Sequence, residues 1–273
     1  MPEGHVMHAL ALDLNAAFGG RPVAVTSPQG RFADAAVLVD GQSFGVADAV
    51  GKNLFLPIGD QWVVHVHLGL IGKLAVGVAG QRLFAPTALE ANVRLRLCNP
   101  SAVAELRGPQ VCRLSTPDEV AQLTRASGPD PLRPDADAER GWERVHRSRR
   151  SIAALLMDQR VAAGVGNIFR AEVLFRHRVN PDRPGNQLTH GDWTRLWHDL
   201  VVLMGRAVEA RRIDSVFPEH EPTAQGRPPR VDRHGGEVYV YRRAGQPCLV
   251  CGTPVAKRAL EGRNLYWCPR CQA

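Results

Sequence analysis

The sequence predicts a multidomain α+β protein: one amphipathic helix, a β-rich half built as a sandwich or barrel, a helical half, and a cysteine-clasped hairpin near the C-terminal end. Three observations predict it. Apolar residues recur at helical spacing at the start of the chain, residues 22–115 break into short β-rich runs, and two Cys-x2-Cys pairs stand sixteen residues apart near the end. The 273 residues, 44% of them apolar, suffice for two domains of ordinary size with real cores. No window holds 18 uninterrupted apolar residues and no basic stretch precedes an apolar leader, so the expectation is a cytoplasmic protein without a membrane span.

The first helix is expected over residues 3–18, where Val6, Leu10, Leu14 and Phe18 stand four apart and Gly19-Gly20 stops the pattern. Ahead of it, "MPEG" supports two readings. Pro suits a first helical turn and Glu the positive end of a helix dipole. Alternatively, removal of Met1 exposes the secondary amine of Pro2 beside the Glu3 carboxylate, a nucleophile next to an acid. Strands are expected at "PVAVTS", "AAVLVD", "SFGVADAVG", "NLFLPIG", "WVVHVHLG", "KLAVGV", "VRLRLC" and "AVAELR", separated by Gly, Pro, Asp and Asn. The segment "STPDEVAQLTRASGPDPLRPDADAER" is a Pro- and Asp-rich crossing and a domain boundary.

Beyond the crossing, "RRSIAALLMDQR" puts Ile152, Leu155 and Leu156 on one helix face, and "NIFRAEVLFRH" starts a helix with Asn167 as N-cap. A longer helix covers "HGDWTRLWHDLVVLMGRAVEARR". Residues 214–236, weakly patterned and rich in Pro, Gly and His, read as a mobile loop. The domain expectation is therefore 1–118, 119–234 and 235–273.

Cys248, Cys251, Cys268 and Cys271 read as two knuckles closing around one structural zinc ion; four thiolates leave no open position for catalysis. Cys98 and Cys112 lack such spacing and are expected as core thiols. The net charge of +7 is uneven: residues 1–100 balance seven basic with seven acidic side chains, whereas residues 151–273 carry eighteen against twelve. Lys257, Arg258, Arg263 and Arg270 crowd the zinc hairpin, a way to present cations to phosphates or simply a solvated face. "AGVGN" offers backbone N–H groups at a helix N-terminus, which attract a phosphate; alone, a glycine turn is usually only a turn.

Taken together, "PEG", "GKNLFL", "HLGLIG", "GPDPL", "LLMDQRVAAGVGNIFRAEVLF" and "GQPCLVCGTPV…GRNLYWCPRCQ", in this order from residue 2 to 272, resemble the formamidopyrimidine-DNA glycosylase and endonuclease VIII family. The resemblance implies an N-terminal two-layered β-sandwich, a helix-two-turn-helix domain and a zinc finger, with double-stranded DNA in the cleft between. It implies a monomeric DNA glycosylase and abasic-site lyase of base excision repair that acts on damaged bases or abasic sites.

In that resemblance Pro2 matches the nucleophile that attacks C1′ of a flipped-out nucleotide, and Glu3 the proton donor, a role that burial favours. An N-terminal amine titrates near neutrality and is available at working pH. Lys52 matches the lysine that contacts the backbone by the lesion and assists β-elimination. His67 and Asn167 match phosphate contacts, and Arg263 matches the zinc-finger arginine linked to δ-elimination. Arg125, before "SGPD", is a further phosphate contact by the same alignment. Leu70, supported by Ile71, is the wedge that fills the gap left by the extruded base. Gly69 departs from a bulkier polar residue found in some endonuclease VIII relatives. "PEG" favours the endonuclease VIII branch, whose substrates are oxidised pyrimidines. The alternatives are a formamidopyrimidine or 8-oxoguanine enzyme of the same family and a catalytically idle DNA-structure-binding protein.

Overall fold

The structure, a computed structural model, describes residues 2–84, 90–232 and 236–273, so Met1, residues 233–235 of the 214–236 stretch and the expected 234/235 boundary lie outside the described residues. The chain divides into two compact units, Met1–Ala126 and Ser127–Ala273. No helix among the described residues is long and apolar enough to cross a membrane.

The first unit opens with α1 (Gly4–Phe18), which buries Met7, Leu10, Ala11, Leu14 and Phe18 along one stripe; Val6 is half-buried and Met7 takes its place in the core. The helix ends where Gly20 takes φ +70°, a conformation that favours glycine. Two separate antiparallel sheets follow, which makes the β-half a sandwich and not a barrel. One sheet has the order β1-β6-β7-β5, from β1 (Ala24–Thr26), β5 (Lys73–Val78), β6 (Val93–Cys98) and β7 (Ala102–Arg107). The other has the order β2-β3-β4-β8, from β2 (Asp48–Val50), β3 (Asn53–Ile58), β4 (Trp62–His67) and β8 (Val111–Ser115). α1 packs on strands of both sheets, and one apolar core runs through all three elements.

Two expectations fail in this unit. "AAVLVD" forms a helix, α2 (Ala33–Val39), because Ala36 and Val39 are the buried pair at a three-residue spacing while Val37 and Leu38 face water. The Pro- and Asp-rich crossing also contains a helix, α3 (Pro117–Ala126). Thr116 and Glu119 exchange side-chain to backbone hydrogen bonds in a capping box, with Pro117 at the first helical position. α3 lays Val120 and Leu123 on Val50, Phe55 and Val63, which explains why β3 and β4 are buried on both faces instead of alternating. Cys98 and Cys112, expected in the core, are half-buried on β6 and β8.

His5 in α1 and His65 in β4 are buried, and burial is the largest cause pushing each imidazole from 6.5 down to about 4. The native state therefore refuses a proton that the unfolded chain accepts below 6.5. Stability contributed by the neutral rings is complete above that value and is lost as pH falls towards 4. The thermal midpoint is expected to drop as pH is lowered from about 7 to about 5, and more gently in His65→Gln. An identical slope in that variant would remove His65 as a source.

The second unit is helical up to its C-terminal hairpin. The crossing supplies α4 (Ala138–Val145), capped by Asp137, whose side chain accepts from Glu139 N. α5 (Ile152–Leu155) is a single turn, shorter than expected, because the side chains of Asp158 and Gln159 take up Arg160 N and Met157 O, backbone groups that a longer helix would use. α6 (Asn167–Arg176) is buried almost all round, and α7 (His190–Ala210) starts in a capping box of Thr189 and Asp192.

The stretch expected as a loop is partly folded, with a 3-10 turn at Pro218–His220 and α8 (Pro222–Gln225). Its two ends meet at one fully buried carboxylate: Glu172 of α6 accepts from Ser215 Oγ on one side and from the N–H groups of Tyr239, Val240 and Tyr241 on the other. The unit closes with the hairpin β9 (Ala256–Leu260) and β10 (Arg263–Trp267), turned by Glu261-Gly262, both at positive φ.

Candidate functional site

Pro2 is half-buried and Glu3, directly behind it, is 0% exposed. Glu3 is extended (φ −115°, ψ 178°) and stands at the head of α1, where its carbonyl accepts from Val6 N at 3.0 Å. Its side chain makes no capping bond. The carboxyl is therefore held inside the unit, as a proton-donating role requires, and is not spent on the helix end.

Lys52 sits in the tight Gly51–Lys52 turn that joins β2 to β3. The register pairs Asn53 with His67, which brings Lys52 to the end of the sheet where β4 finishes. Burial first, and then the Lys52 charge, hold the His67 imidazole below its ordinary value, so the ring is neutral near pH 7. Its Nδ1 accepts from Gly69 N at 3.1 Å, which assigns the proton to Nε2 and leaves a donor suited to a phosphate oxygen.

The loop after His67 presents Leu70 and Ile71 at 63% and 80% exposure, while Leu68 is anchored in the core. Large apolar tips held out in water cost free energy unless something covers them. Gly69 has φ +68°, and a Cβ there would meet Gln110 Cβ at 2.9 Å, so the departure noted at this position has a steric reason. Gln110 itself donates its N–H to His67 O at 2.9 Å, tying the loop before β8 to the loop that carries Leu70 and Ile71. Gly69→Ala is expected to cost about 1–2 kcal/mol of stability. The readout is a thermal or urea midpoint, and an unshifted midpoint would show that the loop relaxes freely.

In the second unit Asn167 is the first residue of α6 and is buried; the N-cap is Gly166, which corrects the expected Asn167 cap. Its Oδ1 accepts from Arg170, a guanidinium only 1% exposed that also donates to Asn264 O at 2.9 Å. With the oxygen so used, the Asn167 amide nitrogen is the group left to donate. Gln159 shapes the glycine turn ahead of it: Nε2 donates to Met157 O and Val165 O, and Oε1 accepts from Gly164 N. Arg263 follows the Glu261-Gly262 turn at the start of β10, beside the Asn264 carbonyl that Arg170 holds. Asn167 and Arg263 are thus linked through Arg170. Arg125 is exposed in the last turn of α3, where a cation complements the helix dipole.

Sequence reasoning missed Arg170, Gln159 and Gln110. Arg170 had a readable signal, a charge set among "IF" and "AEVLF" three residues after Asn167, where one turn brings the side chains together.

The Sγ atoms of Cys248, Cys251, Cys268 and Cys271 all lie within 4.8 Å of one another, with Cys251 and Cys268 at 3.5 Å and Cys248 and Cys271 at 4.0 Å. Zinc at about 2.3 Å from each of four sulfurs places them about 3.8 Å apart, so the residues present fit the ion. This is a structural zinc site. Cys271 N donates to Cys268 Sγ at 3.5 Å, the knuckle geometry expected of a Cys-x2-Cys ligand pair.

The family description "Formamidopyrimidine-DNA glycosylase H2TH domain" matches residues 127–217, and "Zinc finger found in FPG and IleRS" matches residues 245–273. The chain is 45% identical over 272 residues to Endonuclease 8 1 of Mycobacterium tuberculosis, covering 100% of both chains. It is 34% identical over 239 residues to the formamidopyrimidine-DNA glycosylase of Thermus thermophilus, covering 86% of this chain and 84% of that one. Among solved structures it is similar to the Lactococcus lactis Fpg in complex with abasic-site DNA (TM-score 0.77, 22% identity, 99% of both chains). It is also similar to MutM in complex with DNA containing carbocyclic 8-oxo-G (TM-score 0.77, 21% identity, 100% of both chains). At these identities the structural likeness concerns the fold.

Proposed function

The chain belongs to the formamidopyrimidine-DNA glycosylase and endonuclease VIII family of DNA glycosylases, and from that premise we propose that it excises oxidised bases from duplex DNA and nicks the strand as an abasic-site lyase. With Met1 removed, the Pro2 amine attacks C1′ of a nucleotide turned out of the helix. The glycosidic bond breaks, and the base leaves with its electron pair and takes up a proton. Glu3 supplies the proton that opens the sugar. The iminium then acidifies the C2′ hydrogen; loss of that proton expels the 3′ phosphate with Lys52 assisting, and a second elimination beside Arg263 releases the 5′ side. His67 Nε2 and the Asn167 amide nitrogen donate to backbone phosphates, and Leu70 with Ile71 fills the vacated stack.

The observation that carries this reading is the fully buried Glu3 carboxyl immediately behind a half-buried Pro2. A module that only binds DNA has no use for either. Oxidised pyrimidines are the proposed substrates, supported by the "PEG" opening and by the 45% identity to a protein named Endonuclease 8 1.

Borohydride trapping of the Met-processed protein on a duplex with one abasic site tests the reading. A covalent band mapped to Pro2 is expected. Binding without a trapped band or a cut strand would return the idle-binder alternative. Excision from duplexes carrying thymine glycol, dihydrouracil or 8-oxoguanine tests the substrate, and faster removal of 8-oxoguanine would reverse the pyrimidine assignment.

A further inference from the structure

The second unit carries a basic surface that the steps above use only at its Arg263 end. A depression of about 370 Å³ beside Arg263 and Arg170 adjoins another of about 490 Å³ beside Arg140, Arg144 and Arg147. The two share Arg150, Asp158 and Arg160 along their border and so form one trough. Guanidinium and carboxylate groups crowd its walls beside Met157, Leu155 and Leu260, unlike the largely apolar lining of a small-molecule pocket.

The charges differ along its length. At the centre, Arg150 pairs with Glu261 at 2.8 Å and Arg160 with Asp158 at 2.9 Å, which fixes both guanidinium groups. Towards α4 the compensation fails. Arg144 and Arg147 are exposed, their side chains make no hydrogen bond or ion pair with any described residue, and Glu143 is the carboxylate lining that end. Arg140 and Arg144 lie one turn apart on α4, about 6 Å along its axis, and Arg147 follows just past its last residue. Arg140 is held at Ser127 O by its NH2 group at 3.1 Å. Guanidinium groups set along α4 and just past its end, in a trough that also reaches Arg263, suit a polyanion with closely spaced charges.

We propose that the trough is a distal track for the sugar-phosphate backbone of duplex DNA, in which Arg144 and Arg147 contact phosphates of the flanking duplex beyond those held at Asn167 and Arg263. This rests on the DNA glycosylase reading and extends its footprint. The contacts carry no base information. They add affinity and salt dependence and align the enzyme along intact duplex.

The test compares the full-length, zinc-loaded protein with Arg144→Gln/Arg147→Gln. Affinity is measured by fluorescence anisotropy on duplexes of about one and about three helical turns, each with a central stable abasic analogue, over a series of salt concentrations. For the long duplex the variant's log–log salt slope is expected to be shallower by roughly 2, and its affinity about tenfold weaker at low salt. On the short duplex the two proteins should share one slope. Matching thermal midpoints and zinc content establish that the variant is folded. Equal slopes and affinities on the long duplex would overturn the track and leave the patch a solvated face or a dock for an acidic protein. Failure of the parent to bind the short duplex, or to cut a matching duplex that carries a natural abasic site, would instead overturn the glycosylase reading beneath it.

Discussion

Pro2→Gly is expected to bind an abasic duplex within about threefold of the parent while strand incision falls by about 100-fold or more. The secondary amine of proline gives an iminium that is cationic without needing a proton, whereas the primary amine of glycine gives an imine that must first be protonated. Glycine also loses the ring that limits the amine's orientation. Binding is expected to survive because the proposed DNA contacts at Lys52, His67, Asn167 and Arg263 are untouched. A second variant isolates the amine from the side chain: an uncleaved residue ahead of Pro2 turns its nitrogen into an amide with no nucleophilic lone pair. Trapping, gel incision and anisotropy on both variants check the claim, and full incision by the extended protein would exclude Pro2.

Cys268→Ser is expected to reduce bound zinc from one ion per chain to none, lower the thermal midpoint sharply and weaken abasic-duplex affinity at least tenfold. The magnitude follows from the coupling of metal to folding, on the order of 10 kcal/mol or more for structural zinc in small fingers. The damage spreads because Cys268 is fully buried and Leu265 and Tyr266 of β10 belong to the same core as α6 and α7. Releasing the hairpin also removes Asn264 O from Arg170, and with it the link between Arg263 and Asn167. Zinc content by mass spectrometry and affinity are the readouts. Retention of the ion by the variant would count against the four-cysteine site.

Features that depend on residues near one another in the sequence were legible. The stripe of α1 and the spacing of the cysteines are local patterns, and the structure contains both. Patterns with two solutions were not: the "VLV" of α2 suits a strand until the buried spacing of Ala36 and Val39 is known, and the run of α5 stops because Asp158 and Gln159 compete for its backbone. α3 was readable from its capping box but was hidden behind the proline beside it. The roles assigned to Lys52, His67 and Arg263 came from resemblance, since nothing in their immediate neighbours distinguishes them. What occupies the Asn167 side-chain oxygen is Arg170, and what holds Arg170 is a carbonyl 94 residues away, a separation no window of sequence spans.

Glu172 gathers Ser215 and the amides of Tyr239–Tyr241 at one point, so the residues between leave and rejoin the unit at fixed places. A segment anchored in this way is a cassette. Its length can change at little cost to α6, since closing a flexible loop costs only about 0.6 kcal/mol for each doubling of its length. Insertions and exchanges between relatives should therefore collect there, and it is the place to graft a reporter peptide while leaving the rest of the enzyme intact.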